Sequence, residues 1–109
     1  MPQTHKVLGQ VNPAATGLTT LYTVPSSTQT IGSTLSVCNI SSSGTTYRIA
    51  VRPTGEAIAN KHYLAYDSTI PANDSICLTL GLSLEATDVV SVYAGTANLA
   101  FSLYGVEIT

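Results

Sequence analysis

Hydrophobic residues recur at every second position over long stretches of this chain, which is the spacing of a β-strand with one buried face. The clearest case is the segment 74–84, where apolar residues alternate with small or polar ones. Helical spacing would spread these apolar side chains around a cylinder, whereas a strand places them all on one face. We therefore predict a strand that contributes a row of core residues. The row consists of Ile76, Leu78, Leu80, Leu82 and Leu84.

Seven further segments have the β-branched and aromatic residues that are typical of strands. Tyr47, Ile49 and Val51, for example, share one face of a strand whose other face carries Arg48 and Arg52. Clusters of Gly, Pro, Ser and Asn mark the turns between the segments. The predicted strands cover residues 6–11, 18–24, 31–38, 45–52, 62–66, 87–93 and 97–108.

The segment 31–38 has the period-two pattern of a strand, with Ile31, Ser33, Leu35 and Val37 on one face and Gly32, Thr34, Ser36 and Cys38 on the other. Turn residues at 41–44 follow it and precede the next strand. Short turns of this composition commonly join neighbouring antiparallel strands. We therefore predict that the strands on either side of this turn form a hairpin.

The last predicted strand is apolar on both of its faces. Leu99, Phe101 and Leu103 form one face and alternate with a second apolar set. Such a strand is either central in a sandwich or covered by a partner. At an open edge, it or the short first strand could extend a neighbouring copy's sheet. The second face carries Ala100, Tyr104, Val106 and Ile108, of which the first three are candidate interface residues.

About eight strands at short spacing predict an all-β fold, an antiparallel β-sandwich resembling a jelly roll. The length of 109 residues is that of one domain. We predict a single sandwich domain over residues 1–109, with residues 1–5 as a candidate N-terminal arm.

Charge is the unusual feature of the composition, because only 9% of residues are Asp, Glu, Lys or Arg, against about 25% in ordinary domains. A β domain with so few surface charges has little to keep its copies apart. We interpret this as surface that other subunits cover. A monomer with a Ser- and Thr-rich surface remains the alternative.

Four basic residues and a net charge of −2 are too few cations for a nucleic-acid-binding role. No apolar run approaches the roughly 20 residues of a membrane-spanning helix. The N-terminus lacks the apolar centre of a signal peptide. We therefore expect no nucleic acid or membrane partner, and synthesis and assembly in the cytoplasm.

The sequence has no recognisable catalytic or metal-binding motif. His5 and His62 have no further ligand at metal-binding spacing, and no nucleophile elbow or phosphate-binding glycine loop is present. We therefore expect neither enzymatic activity nor a cofactor. Cys38 and Cys77 are expected to be free thiols in a reducing compartment.

Six tyrosines accompany one Phe and no Trp, a balance that suits half-buried and interfacial positions. Tyr63 and Tyr66 form the most contact-like patch and are candidate interface residues. Arg48 and Arg52 are also candidates, because they could pair with acidic groups on a neighbouring subunit. Exposure of both arginines to solvent is the equal alternative.

Four short runs occur in a distinctive order along the chain. They are LYTVP at 21–25, LSVCN at 35–39, YRIAV at 47–51 and YGVEIT at 104–109. In this order they resemble small structural proteins of tailed bacteriophages, including marine cyanophages, and the likeness extends from about residue 6 to residue 109. The resemblance implies a component of the virion, without transferable functional residues.

The first hypothesis is a capsid decoration or cement protein that stabilises the head through subunit contacts. The second is a component of the neck, tail or fibre, acting as an adaptor or as a host-binding tip. Both predict a homo-oligomer in contact with other virion proteins. A carbohydrate-binding module unrelated to phages is the third hypothesis, against which the missing Trp and signal peptide count.

Overall fold

Eight strands and two short 3-10 helices make up the computed structural model, which describes residues 2–109. The helices are η1 (Pro53–Gly55) and η2 (Asn60–His62), and both lie in the loop between the fourth and fifth strands. The strands are β1 (Gln3–Val11), β2 (Leu18–Thr23), β3 (Gln29–Asn39), β4 (Thr45–Arg52), β5 (Tyr63–Ile70), β6 (Ser75–Leu84), β7 (Val89–Ala94) and β8 (Leu99–Ile108).

The strands form two antiparallel four-stranded sheets packed against each other. Sheet A has the order β1-β8-β3-β6, and sheet B has the order β2-β7-β4-β5. Strand pairs are nested, with β1 beside β8, β2 beside β7, β3 beside β6 and β4 beside β5. This nesting is the order of a jelly roll. The predicted all-β antiparallel sandwich is confirmed.

The core lies between the sheets and is richest along the central strands. Leu99, Phe101 and Leu103 of β8 are fully buried, as the alternation of the last strand predicted. Because β8 lies between β1 and β3, it is not available to extend the sheet of a neighbouring copy. Of the two strands considered for that role, only β1 is an edge strand.

A bulge in β3 overturns the prediction that Ile31 shares a face with Leu35 and Val37. Gly32 faces Gly105 and Thr34 faces Tyr104, so Ser33 is an extra residue relative to β8. An extra residue reverses the alternation of faces. Ile31 is therefore 44% exposed on the outer side, whereas Leu35 and Val37, beyond the bulge, are fully buried.

The predicted hairpin over residues 41–44 is also wrong, because β3 belongs to sheet A and β4 to sheet B. The turn instead carries the chain from one sheet to the other. The buried amide of Asn39 holds it, donating to the carbonyl oxygens of Ser43 at 2.9 Å and Pro71 at 3.1 Å. Turn residues indicate where a chain reverses, not which sheet it joins.

The candidate N-terminal arm is largely part of the sandwich. Gln3, Thr4 and His5 belong to β1 and pair with the end of β8. Their backbone groups are therefore used within the domain, and the arm prediction needs correction from residue 3 onward. Met1 lies outside the described residues.

Candidate interaction surfaces

The outer face of sheet A is the first candidate surface. Residues paired across neighbouring strands point to the same side of a sheet, so the register assigns the outward set. Among the described residues of these four strands, no outward-pointing one is Asp, Glu, Lys or Arg. We call this surface the charge-free face. Its members are Gln3, His5, Val7 and Gln10 of β1, Ala100, Ser102, Tyr104, Val106 and Ile108 of β8, Gln29, Ile31, Thr34, Ser36 and Cys38 of β3, and Ser75, Cys77, Thr79 and Ser83 of β6.

An apolar cluster lies within the charge-free face. Val7 pairs with Tyr104, and Ile31 pairs with Val106. Val7 is 46% exposed, Ile31 44% and Tyr104 38%, and Val106 is half-buried. Large apolar side chains that cluster at the surface favour a contact with another protein.

The structure brings three sequence-predicted interface residues, Ala100, Tyr104 and Val106, onto this one face. The sequence did not point to Val7 or Ile31 as interface residues. A bulge next to each of them, at Leu8 and at Ser33, alters the alternation from which a face is read. An isolated glycine within a strand suggests a bulge, and Gly9 and Gly32 lie directly beside these two bulges.

The charged residues lie elsewhere in the fold. Lys6 and Glu107 form an ion pair at 2.9 Å where β1 and β8 meet. The others are in sheet B, in its long loop and in turns. These are Arg48, Arg52, Glu56, Lys61, Asp67, Asp74, Glu85 and Asp88.

The second candidate surface is a cluster on the outer face of sheet B, which we call the arginine–tyrosine cluster. The Arg48 guanidinium lies 4.1 Å from the ring centroid of Tyr66 and 4.2 Å from that of Tyr93. Its Nε donates to Asp67 Oδ1 at 2.7 Å and its Nη2 to Asp67 Oδ2 at 3.4 Å. This hydrogen bond to Asp67 raises the pKa of Arg48 further above its ordinary value. Tyr63 packs edge-on against Tyr66 at 4.9 Å between ring centroids.

The cluster joins three predicted interface residues, Arg48, Tyr63 and Tyr66, but Arg48 is already paired within the chain. A shallow depression of about 360 Å³ is lined by Tyr63, Tyr66 and Asn60. Tyr66 is 56% exposed. This surface can offer aromatic ring area and an amide to a partner, and its cation is already engaged by Asp67.

Arg52, the fourth predicted residue of this group, lies apart from the cluster and under the β4–β5 loop. Its Nε donates to Ser91 Oγ at 3.2 Å, and its Nη1 donates to the Glu56 carbonyl oxygen at 3.1 Å. His62 is buried and holds the same loop, because its Nδ1 accepts from the Ala59 amide at 3.0 Å. Arg52 is therefore a structural support of the loop, a role the sequence did not reveal.

Hydrogen bonds among the side chains of Tyr22, Thr30 and Glu107 link the two sheets at one rim of the sandwich. The Tyr22 hydroxyl contacts Thr30 Oγ1 at 2.9 Å and donates to Glu107 Oε2 at 2.5 Å. Burial, with the hydrogen bond to Glu107, raises the pKa of Tyr22 to about 12. Hydrogen bonds from Tyr22 and Lys6 lower the pKa of Glu107. The fold therefore stabilises the neutral phenol of Tyr22 and the charged carboxylate of Glu107.

Both cysteines are free and lie on the charge-free face. Cys38 pairs with Ser75, and Cys77 pairs with Ser36, so the two thiols are diagonal neighbours on β3 and β6. Diagonal Cα atoms are about 7–8 Å apart, beyond the usual range of a disulfide. Cys77 is exposed and Cys38 half-buried, so both thiols can report on contacts made by this face.

Within residues 2–109, no group of three or more His, Cys, Asp and Glu side chains is arranged to hold a metal ion. In the same part of the chain, no helix has the length and apolar character needed to cross a membrane. Comparisons of the chain with protein-family models, with curated proteins and with solved structures find no match.

Proposed function

We propose that this protein is a non-enzymatic structural component of a tailed-phage virion, and that it decorates the capsid. The observation that carries the proposal is the charge-free face with its apolar cluster of Val7, Ile31, Tyr104 and Val106. The sequence resemblance to small phage structural proteins supports it. The jelly-roll order of the strands supports it as well, because viral capsid domains use this architecture.

The charge-free face suits a permanent contact because covering it desolvates no Asp, Glu, Lys or Arg side chain among its described residues. Burying an unpaired charge is costly, whereas the free-energy cost of burying apolar and hydroxyl groups is much lower. Four strands about 4.8 Å apart and ten residues about 3.3 Å apart give a face of roughly 600 Å². That area is modest for one contact. Copies linked in an oligomer would bind neighbouring lattice positions together and so strengthen the contact through avidity.

The test is cryo-electron microscopy of the purified particle that contains this protein. We expect density for the sandwich at regular positions on the head, with the charge-free face against the shell. Density confined to the neck or tail would overturn decoration, and absence from the particle would overturn the virion role.

Thiol labelling with a maleimide tests independently whether the charge-free face contacts the shell. Cys77 should react readily in the isolated protein and at least tenfold more slowly in the particle, because the shell covers it. An unchanged rate in intact particles would mean that this face does not bind the shell.

A host-binding module of the tail is the second candidate function, and the arginine–tyrosine cluster favours it. Exposed tyrosine rings beside the Asn60 amide offer stacking and hydrogen bonding, the two means by which a neutral sugar can be held. Binding of the isolated protein to a glycan array, abolished by Tyr66→Ala and retained by Tyr104→Ala, would favour this function over decoration.

A further inference from the structure

The two sheets have four edge strands, β1 and β6 in sheet A and β2 and β5 in sheet B. An edge strand presents unpaired N–H and C=O groups, and proteins commonly protect it by charge, brevity or bulges. β1 carries Lys6 and a bulge at Leu8. β2 has only six residues and an irregularity at Leu21. β5 contains Asp67, whose φ of 50° interrupts the extended backbone.

The remaining edge strand, β6, has little of this protection. Its ten residues, SICLTLGLSL, include no charged residue and no proline. From Ser75 to Thr79 the strand pairs with β3 without interruption, and its irregularity comes only later, where Gly81 has a φ of 62°. The first half of β6 is thus a regular template for a further strand.

The apolar side chains of β6 are also only partly covered. The alternation predicted from the sequence is confirmed, but only Leu84 of the apolar row is buried. The other members pack against the core and remain partly exposed. They are Ile76, Leu78, Leu80 and Leu82. A strand added beside β6 would cover this row as well as the unpaired backbone groups.

We propose that β6 pairs antiparallel with β6 of a second copy of this chain, joining the two A sheets into one eight-stranded sheet. The proposal does not rest on the virion role. Antiparallel pairing of identical strands produces a closed two-fold dimer. The absence of charge on β6 means that two copies can align without like charges facing each other.

The area is compatible with a specific dimer. A ten-residue strand is about 33 Å long, and the smallest extent of the domain is 19 Å. The side wall along β6 is therefore roughly 600 Å² per copy, which places a dimer near the lower end of specific interfaces. We therefore expect a dimer that dissociates on dilution rather than a permanent one.

The first test measures the mass of the full-length protein by sedimentation velocity over a dilution series. We expect a monomer–dimer equilibrium for the unaltered chain. The double variant Cys77→Lys/Thr79→Lys should raise the dissociation constant at least tenfold, because it places like charges at the joined edges. The control Gln3→Lys/Gln10→Lys places the same charges at exposed positions of β1, the opposite edge of sheet A, and should dimerise normally.

Circular dichroism of both variants shows whether each has folded. A monomer at all concentrations, or equal weakening by both double variants, would overturn the proposal. The second of these results would assign the contact to the sheet face rather than to the edge.

The second test needs no variant. Hydrogen exchange of the unaltered protein should show that the β6 amides directed away from β3 become protected as concentration rises. Protection that rises in β1 instead, or in neither strand, contradicts β6 pairing. Either result leaves docking through the charge-free face intact, because that proposal is tested on the particle.

Discussion

The outer faces of the two sheets differ although both come from the same alternation of side chains. Sheet A presents an apolar cluster surrounded by Ser, Thr and Gln, with no Asp, Glu, Lys or Arg among its described outward residues. Sheet B carries the Arg48–Asp67 ion pair, two tyrosine rings on which Arg48 stacks, and a covering loop. The difference shows that this chain keeps its few charges away from the outer face of sheet A and pairs Arg48 with Asp67 on sheet B.

The contrast has a physical consequence for binding. A partner that covers sheet B must desolvate Arg48 and Asp67 or break their pairing, and both options oppose association. A partner that covers sheet A desolvates no Asp, Glu, Lys or Arg side chain among the described residues. On the proposed function, we therefore expect the main contact at the charge-free face and only a weaker, peripheral contact at the arginine–tyrosine cluster.

The largest expected effect on particle binding comes from placing a charge on the charge-free face. Tyr104→Glu should weaken binding to particles that lack the protein by about thirtyfold, as loss of a central contact worth about 2 kcal/mol does. Leu18→Glu is the matched control, because Leu18 is 39% exposed on sheet B and Tyr104 is 38% exposed on sheet A. Co-sedimentation measures both. Equal loss in the two variants would remove the distinction between the faces.

The second effect concerns the bulge that turns Ile31 outward. A Cβ at Gly105 would lie 2.0 Å from the Ile31 carbonyl oxygen, so Gly105→Ala should lower the free energy of unfolding by roughly 2–3 kcal/mol. Gly17→Ala is the control, since a Cβ there meets nothing within 4 Å. Urea denaturation compares them. Similar stability of both variants would show that the close approach of β3 and β8 is not required.

A third, smaller effect concerns the rim, where Glu107 should make the stability of the fold depend on pH. Because the native pKa of Glu107 is lowered, its carboxylate stabilises the fold above the ordinary value near 4.3. That contribution is lost as pH falls through the lowered native pKa. We expect the Glu107 carboxylate to contribute about 1 kcal/mol to the free energy of unfolding. The contribution is small because Lys6 is half-exposed and solvent screens the ion pair.

Thermal unfolding between pH 3 and pH 6 measures this contribution. Glu107→Gln should flatten the loss of stability at low pH, whereas Glu85→Gln, which removes a carboxylate from the β6–β7 loop, should not. An unchanged slope in the Glu107 variant would contradict the assignment.

The smallest effect is expected at the arginine–tyrosine cluster. Arg48→Lys keeps the charge but loses the two-pronged contact with Asp67 and the stacking on Tyr66 and Tyr93. We expect Tm to fall by no more than a few degrees, and particle binding to stay unchanged. A loss of particle binding as large as that of Tyr104→Glu would place the main contact on sheet B.

Much of the fold could be predicted because the alternation of side chains is a local property. The β6 row and the β4 face were assigned correctly, since the pleat alone decides which side chains share a side. Ile31 was assigned wrongly because a single extra residue, Ser33, reverses the faces. The candidate site was predicted only in part, with Tyr104 and Val106 named and Val7 missed.

The partners of the arginines were beyond prediction for a different reason. Asp67 is 19 residues from Arg48 and Ser91 is 39 residues from Arg52. Their contacts require the β4–β5 pairing, the β4–β7 pairing and the fold of the loop between them. No spacing rule within one strand connects such residues.

The sequence by itself determined the all-β class, the number of strands and the neutrality of the surface, because composition and period-two alternation depend on residues close together in the chain. Only the tertiary structure decided that β3 and β4 enter different sheets, that β8 is central and that β6 is an open edge. Those choices arise from pairing between distant strands, where hydrogen-bond register and core packing act together. They also determine which uncharged residues share one outer face, and hence where a partner can bind.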